Sequence, residues 1–467
     1  MTKPFGWFQI VRLGLIQACL GAVVVVTTST LNRIMVVELA LPALLPGMLV
    51  AWHYAVQMVR PRMGYGADQG RRSTPWMMGG MVVLGVGGVM AAASTVWMAT
   101  SPMSGIALAV LSFSLIGLGV SACGTSLLTL MAKQVPDSRR AQAATTVWLM
   151  MIMGFAITAG TVGKLIDPYT PEVLLKVSAS LSVLTSLITA VCLWGLEKSG
   201  IASVTQEKKS TADFKQTFKE VWSEPKARTF TIFVFLSMLA YSAQDLILEP
   251  FAGAIHGMSP GKTTQLSGWH HMGVLIGMLS VAGASSRWIG GRLGSVQAWM
   301  VGGCLFSAVA TVGLSSSALA SIDFVWPLKA NVIFLGIANG AFSIAAIATM
   351  MRLAGEGGEG REGTRMGLWG AAQAAAFGLG GIVGTGASDL AHALLQDSRS
   401  AYVAVFAFQS LMFIASAWVA LRMRAGSVAT TDVSKDAAAD AAKAVSNDAS
   451  LHAISDSRVY LKGGSLT

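Results

Sequence analysis

Three histidines, His53, His270 and His271, fall inside long apolar stretches of this 467-residue chain, where a polar side chain is costly and marks a candidate site. His53 stands in Trp52-His53-Tyr54. A neutral imidazole flanked by two rings offers a nitrogen donor and a flat apolar surface, which suits the magnesium of a chlorin. The competing reading is a core histidine bonded to a neighbouring helix. His270 and His271 follow Trp269 at the start of a second apolar stretch. They are either rival pigment ligands or an aromatic and polar anchor at the outer interface.

Charged residues in apolar surroundings are few. Arg33 and Glu38 lie five apart and either pair or mark the outer interface. Gln244, Asp245 and Glu249 cluster towards the outer end of their segment. A proton-coupled transporter is expected to carry its acidic group nearer the midplane, facing a cavity, so this placement counts against a coupled pump. Gly261-Lys262-Thr263 has His256 where a phosphate loop needs its first glycine. The glycine-rich run Gly355 to Gly363 lacks the Lys-Thr or Lys-Ser that would hold phosphate and magnesium, and reads as a flexible loop. Cys19, Cys123, Cys192 and Cys304 show no paired or ligand spacing and read as buried small hydrophobes. The expectation is therefore no catalytic residue, no metal and no enzyme.

The elements that position these residues must be membrane helices. Apolar residues make up 53% of the chain and charged ones only 12%, too few to cover a water-facing surface. In a soluble protein the net charge of +10 would suggest nucleic acid. Here the basic residues sit in loops, so the partner is the lipid bilayer and no nucleic acid is expected. A crossing helix needs about 20 apolar residues, and such runs lie near 10–36, 40–59, 75–99, 104–131, 141–165 and 172–196, then 229–250, 265–286, 294–318, 325–351, 366–390 and 400–422. The fold class predicted is an all-α membrane protein of about twelve transmembrane helices in two pseudo-symmetric six-helix halves. Arginine and lysine concentrate in alternate loops, which places both termini and the central linker in the cytoplasm. The N-terminal segment lacks a small-residue cleavage signature and is expected to be retained.

Four regions follow: an N-terminal bundle over 1–196, a linker over 197–228, a C-terminal bundle over 229–424 and a disordered cytoplasmic tail over 425–467. Phe214, Phe218, Val221 and Trp222 give the linker one apolar face at helical spacing, either an amphipathic helix on the membrane surface or a solvated connector.

The two bundles show signs of duplication. Gly64-Tyr-Gly-Ala-Asp68-Gln-Gly70-Arg71-Arg72 is matched by Gly283-Ala-Ser-Ser-Arg287-Trp-Ile-Gly290-Gly291-Arg292, and Trp148, Gly160 and Gly163 recur 221 residues on as Trp369, Gly381 and Gly384. Both loops resemble the signature loop of the major facilitator superfamily. The first copy is one residue short, and the second has Arg287 in place of the acidic residue, departures that count against ordinary alternating access. With Arg139, Arg140, Arg361 and Arg365 these loops are candidate latches for helix ends on the cytoplasmic face. Gly370, Ala374 and Gly378 form a small-residue stripe suited to close helix contact.

The stretch from Arg12 through Thr27 to Glu38, Leu41-Pro-Ala-Leu-Leu-Pro-Gly47, His53 to Gln57, Arg60-Pro-Arg62 and Gly64 to Trp76 resembles the PucC/LhaA proteins, the bacteriochlorophyll-delivery branch of the facilitator superfamily. Val135-Pro-Asp-Ser-Arg139-Arg140 and Gly363-Thr-Arg365-Met-Gly-Leu-Trp369 extend the resemblance over about residues 5–424. It implies a light-harvesting complex assembly factor in the intracytoplasmic photosynthetic membrane of purple bacteria. Such a factor would bind antenna α/β polypeptides and deliver or position bacteriochlorophyll a, alongside bacteriochlorophyll synthase or reaction-centre assembly intermediates. The alternative is a facilitator-type transporter moving a small solute through a central cavity.

Overall fold

The computed structural model describes residues 5–59, 73–135, 137–197, 222–284, 295–319, 327–355 and 362–423. They fold as antiparallel helices: α1 (Trp7–Glu38), α2 (Leu44–Val56), α3 (Thr74–Met98), α4 (Pro102–Gln134), α5 (Asp137–Leu165), α6 (Pro171–Leu193), α7 (Pro225–His256), α8 (Pro260–Ala284), α9 (Val296–Leu319), α10 (Leu328–Gly355), α11 (Glu362–Leu395) and α12 (Ser398–Met423). Nine of them are long and apolar enough to cross a membrane, and the chain is a multi-pass membrane protein. Their outer faces are apolar. Leu184, Leu187 and Val191 on α6, Phe306 and Val309 on α9, and Leu411, Ile414 and Trp418 on α12 are all exposed, as lipid contact requires.

The six N-terminal helices pack with α1 on α5 and α6, α3 on α4 and α6, and α2 on α4. The C-terminal set repeats the scheme with α7 on α11, α9 on α10 and α8 on α10. Two seams join the sets, α5 with α8 and α2 with α11. Small residues allow the close approach. At the seams Gly163 abuts the Gly261 backbone, and a Cβ on Gly47 would stand 2.9 Å from the Gly381 carbonyl oxygen. Gly378 of the predicted small-residue stripe faces Tyr54 across the second seam, while Gly370 has open space beside it.

Two local features position the polar residues. α1 widens into π-helical turns at Val26–Thr30 and Ile34–Glu38, which swing its side chains relative to a regular helix. α8 crosses α10 with almost no side-chain layer between them. A Cβ on Gly336 would collide with the carbonyl oxygen of His270, and one on Gly277 with that of Ile337.

On the face where α1 begins, the ends of helices are held from neighbouring elements. Arg12 Nε donates to the Cys192 carbonyl at 2.9 Å and its Nη2 donates to that of Trp194, satisfying the C-terminus of α6. Glu197 accepts the backbone N–H groups of Ser73 and Thr74 at 2.9 and 3.0 Å, capping α3. Gly64, Asp68, Gly70, Arg71, Arg72, Arg287, Gly290, Arg292 and Arg361 lie outside the described residues. So does most of the 197–228 linker, including Phe214, Phe218 and Val221, and the 425–467 tail. Arg139 is exposed in the first turn of α5, Arg140 and Arg365 lie in helices, and Gly283 lies near the end of α8.

Candidate functional site

α7 and α8 form a hairpin turned at Gly257, which takes φ +61°. The antiparallel arms bring Gln244, Asp245 and Glu249 opposite Thr263, Thr264, Ser267, His270 and His271. All of these except Asp245 are buried. One ligand atom each from Asp245, His270 and His271 lies within 4.8 Å of the others. His270 Nδ1 is 3.9 Å from Asp245 Oδ1 and has no hydrogen-bond partner. His271 Nδ1 lies 2.9 Å from the Ser267 carbonyl, which fixes its ring. Asn339 on α10 joins the group, with its amide nitrogen 3.3 Å from His270 Nε2 and 3.0 Å from Gln244 Oε1, while Ser307 Oγ donates to Asn339 Oδ1 at 2.7 Å. Glu249 Oε2 accepts from Thr263 and Thr264 hydroxyls at 3.3 Å each, and its other oxygen has no partner.

The widened part of α1 closes over this cluster from the other bundle. Thr30 and Thr264 hydroxyls meet at 3.0 Å, Ser29 and Ser267 at 3.4 Å, and Asn32 donates to the Leu246 carbonyl at 2.7 Å. Arg33 is buried, pairs with Glu38 at 2.7 Å and donates to the Met258 carbonyl at 2.8 Å. On α5, Phe155 sets its ring edge-on to His271 at 5.1 Å. The cluster thus sits between the bundles, held by hydrogen bonds to side chains and backbone carbonyls, with Gln244 Nε2, Glu249 Oε1 and His270 Nδ1 left unpartnered.

The sequence-predicted aromatic and histidine groups divide differently from their spacing. His270 and His271 turn inward, and only Trp269 faces out, 42% exposed with Lys329 Nζ 3.7 Å above its ring. The outward-facing pair is therefore Trp269 with Lys329, without the histidines. Trp52 faces out and donates to Ser114 at 2.8 Å. His53 is buried, with Nδ1 2.9 Å from the Val50 carbonyl and Nε2 2.8 Å from Gln57. Tyr54 stacks on Phe377 of α11 at 5.6 Å. Beside Trp269 and Lys329, a groove of about 570 Å³ opens on the perimeter, lined by Met258, Leu266, Pro327, Leu328, Lys329, Ala330 and Ile333.

Known proteins place this arrangement. The bundle resembles the nucleoside transporter NupG, with a TM-score of 0.66 at 15% identity over 89% of this chain and 99% of that one. It also resembles the peptide transporter POT in complex with sulfate, with a TM-score of 0.64 at 13% identity over 90% and 95%. The fold is that of the major facilitator transporters. A Rhodobacter capsulatus protein named bacteriochlorophyll synthase 44.5 kDa chain is 49% identical over 89% of this chain and 95% of its own length. Protein PucC of Rhodobacter capsulatus is 27% identical over 87% and 90%. The first of these relatives corrects one expectation. At 49% identity it is named as a chain of a synthase, so the reading that this chain is no enzyme is overturned, and that name stands beside a transporter-like fold. The family model described as PUCC protein matches residues 30–428, so the chain belongs to the PucC family.

Proposed function

We propose that this chain is an assembly factor for light-harvesting antenna complexes in the photosynthetic inner membrane, with both termini cytoplasmic. It binds antenna α/β polypeptides along its lipid-facing perimeter and positions or delivers bacteriochlorophyll a. Bacteriochlorophyll synthase and reaction-centre assembly intermediates are its further partners. The observation that carries this reading is the contrast between centre and rim. Between the bundles, polar side chains of α1 are bonded to hydroxyls and backbone carbonyls of the α7–α8 hairpin, whereas the apolar groove beside Trp269 opens outward. Client helices and a flat macrocycle need an apolar flank with an aromatic surface. Of the candidate pigment ligands, His53 reaches magnesium only by releasing Gln57 or the Val50 carbonyl. The arginine-rich loops, from Arg71 and Arg72 to Arg361 and Arg365, hold helix ends on the cytoplasmic face in this proposal.

A second reading, transport of a small solute, is favoured by the facilitator fold and by the buried carboxylate of Glu249 between the bundles. The absorbance spectrum of the gently purified protein, with its co-purifying polypeptides identified, separates the two. Bacteriochlorophyll bands with antenna polypeptides are expected. A colourless protein without antenna partners that drives solute uptake into proteoliposomes would replace the first reading by the second.

A further inference from the structure

We propose that Asp245, His270 and His271 form a binding site for one divalent transition-metal ion of the zinc class. The proposal is independent of the antenna reading.

Charge is the first argument. Asp245, partly buried, and Glu249, fully buried, stand one helical turn apart on α7 in a protein surrounded by lipid. Two carboxylates there require two compensating positive charges or two protons. The guanidinium that approaches from α1, Arg33, is already bound to Glu38 and the Met258 carbonyl. One divalent cation supplies the missing charge.

Ligand chemistry is the second. Two imidazoles and one carboxylate are a donor set that binds zinc-class ions with a coordination position left open. The ring of His271 is held as metal-bound histidines are held, with one nitrogen hydrogen-bonded to a backbone carbonyl. Its Nδ1 carries the proton towards Ser267, so Nε2 presents a lone pair. His270 Nδ1 is buried and unpartnered, facing Asp245 at 3.9 Å. Ligand atoms on a tetrahedral zinc ion stand roughly 3.4 Å apart at ordinary bond lengths. Rotations of the three side chains close the present spacing of up to 4.8 Å onto an ion.

The surrounding amides fit that state when reversed. With Asn339 rotated, its oxygen accepts from His270 Nε2–H and its nitrogen donates to Ser307, and a rotated Gln244 donates to the same Asn339 oxygen. The proton then sits on Nε2 and leaves Nδ1 free for metal. The α8–α10 glycine crossing fixes the backbone at His270 and so holds the ligand in place.

The test uses the full-length, tag-free protein in detergent, stripped with a chelator. Titration with Co2+ should give visible ligand-field bands saturating at about one ion per chain, displaced by Zn2+, and X-ray absorption at the zinc edge should count two imidazoles. Asp245→Asn and His271→Gln should each weaken binding at least tenfold, with His392→Gln unchanged. Absence of the cobalt bands in the wild type, a zinc spectrum with fewer than two imidazoles, or wild-type binding by both folded variants would overturn the site. Should the variants not fold, the wild-type cobalt and X-ray measurements decide.

Discussion

Asp389, near the end of α11, caps Leu44, the first residue of α2. Its Oδ2 accepts the Leu44 backbone N–H at 2.7 Å while Oδ1 accepts that of Ala43 at 2.9 Å. No residue of α2's own sequence supplies a side-chain cap, so the N–H groups that every helix start leaves unsatisfied are met from the other bundle. Replacing Asp389 by Ala should cost about 1 kcal/mol and lower the melting temperature in detergent. Asn should recover most of it. An Ala variant that melts with the wild type would show the cap to be unimportant.

The α8–α10 crossing predicts a sharp contrast between glycines. Gly336→Ala should destabilise by about 1–3 kcal/mol, because the new Cβ meets the His270 carbonyl and neither backbone can give. Gly302→Ala, where a Cβ has open space, should be neutral or stabilising. Thermal melts of the two single variants compare them directly.

How far the sequence carried this structure depends on the range of the interaction. Runs such as 104–131 and 141–165 were legible because a lipid-spanning helix must be apolar over its whole length, and α4 and α5 contain them. Asp245 and His271 were each visible but not as neighbours. Each lies thirteen residues from Met258 at the tip of the α7–α8 hairpin, and antiparallel helices pair positions equidistant from their turn. That symmetry was the available signal. Asp389 with Leu44, and Arg12 with Cys192, left no such trace, since nothing local to either partner indicates which distant helix end it meets. His53 was legible as polar in an apolar run, but its partner Gln57, one turn away, went unread.

His53→Phe should lower stability by about 1–3 kcal/mol, because it removes the bonds to the Val50 carbonyl and Gln57. The pigment content of the purified protein should stay unchanged. A full loss of bacteriochlorophyll with an unchanged melt would instead make His53 a magnesium ligand.

Asp397 caps the start of α12, accepting the Ser400 hydroxyl at 2.6 Å and its backbone N–H at 2.8 Å, and these bonds hold its pKa below the ordinary carboxylate value. A depressed folded-state pKa means the cap contributes fully above the unfolded value of about 3.9 and is lost as pH falls through the folded one. Amide hydrogen exchange in the first turn of α12, corrected for intrinsic rates, should stay slow down to about pH 4 and rise below it. In Asp397→Asn that dependence should vanish.

The four native cysteines are buried, so membrane-impermeant maleimide should leave the folded protein unlabelled. Lys208→Cys in the linker should then label only from the cytoplasmic side of oriented vesicles. Labelling from the opposite side alone would invert the topology.

Each π-helical turn of α1 leaves that helix with a residue of slack. A π turn holds one residue more than the α-helical ladder needs, and shedding it rotates everything beyond by about 100°. Arg33 would then leave Met258, and Thr30 would leave Thr264. The azimuth of α1 is therefore chosen by its partners on α7 and α8 rather than by its own backbone. The slack in α1 is thus taken up by the cluster it covers, through Thr30 on Thr264 and Ser29 on Ser267.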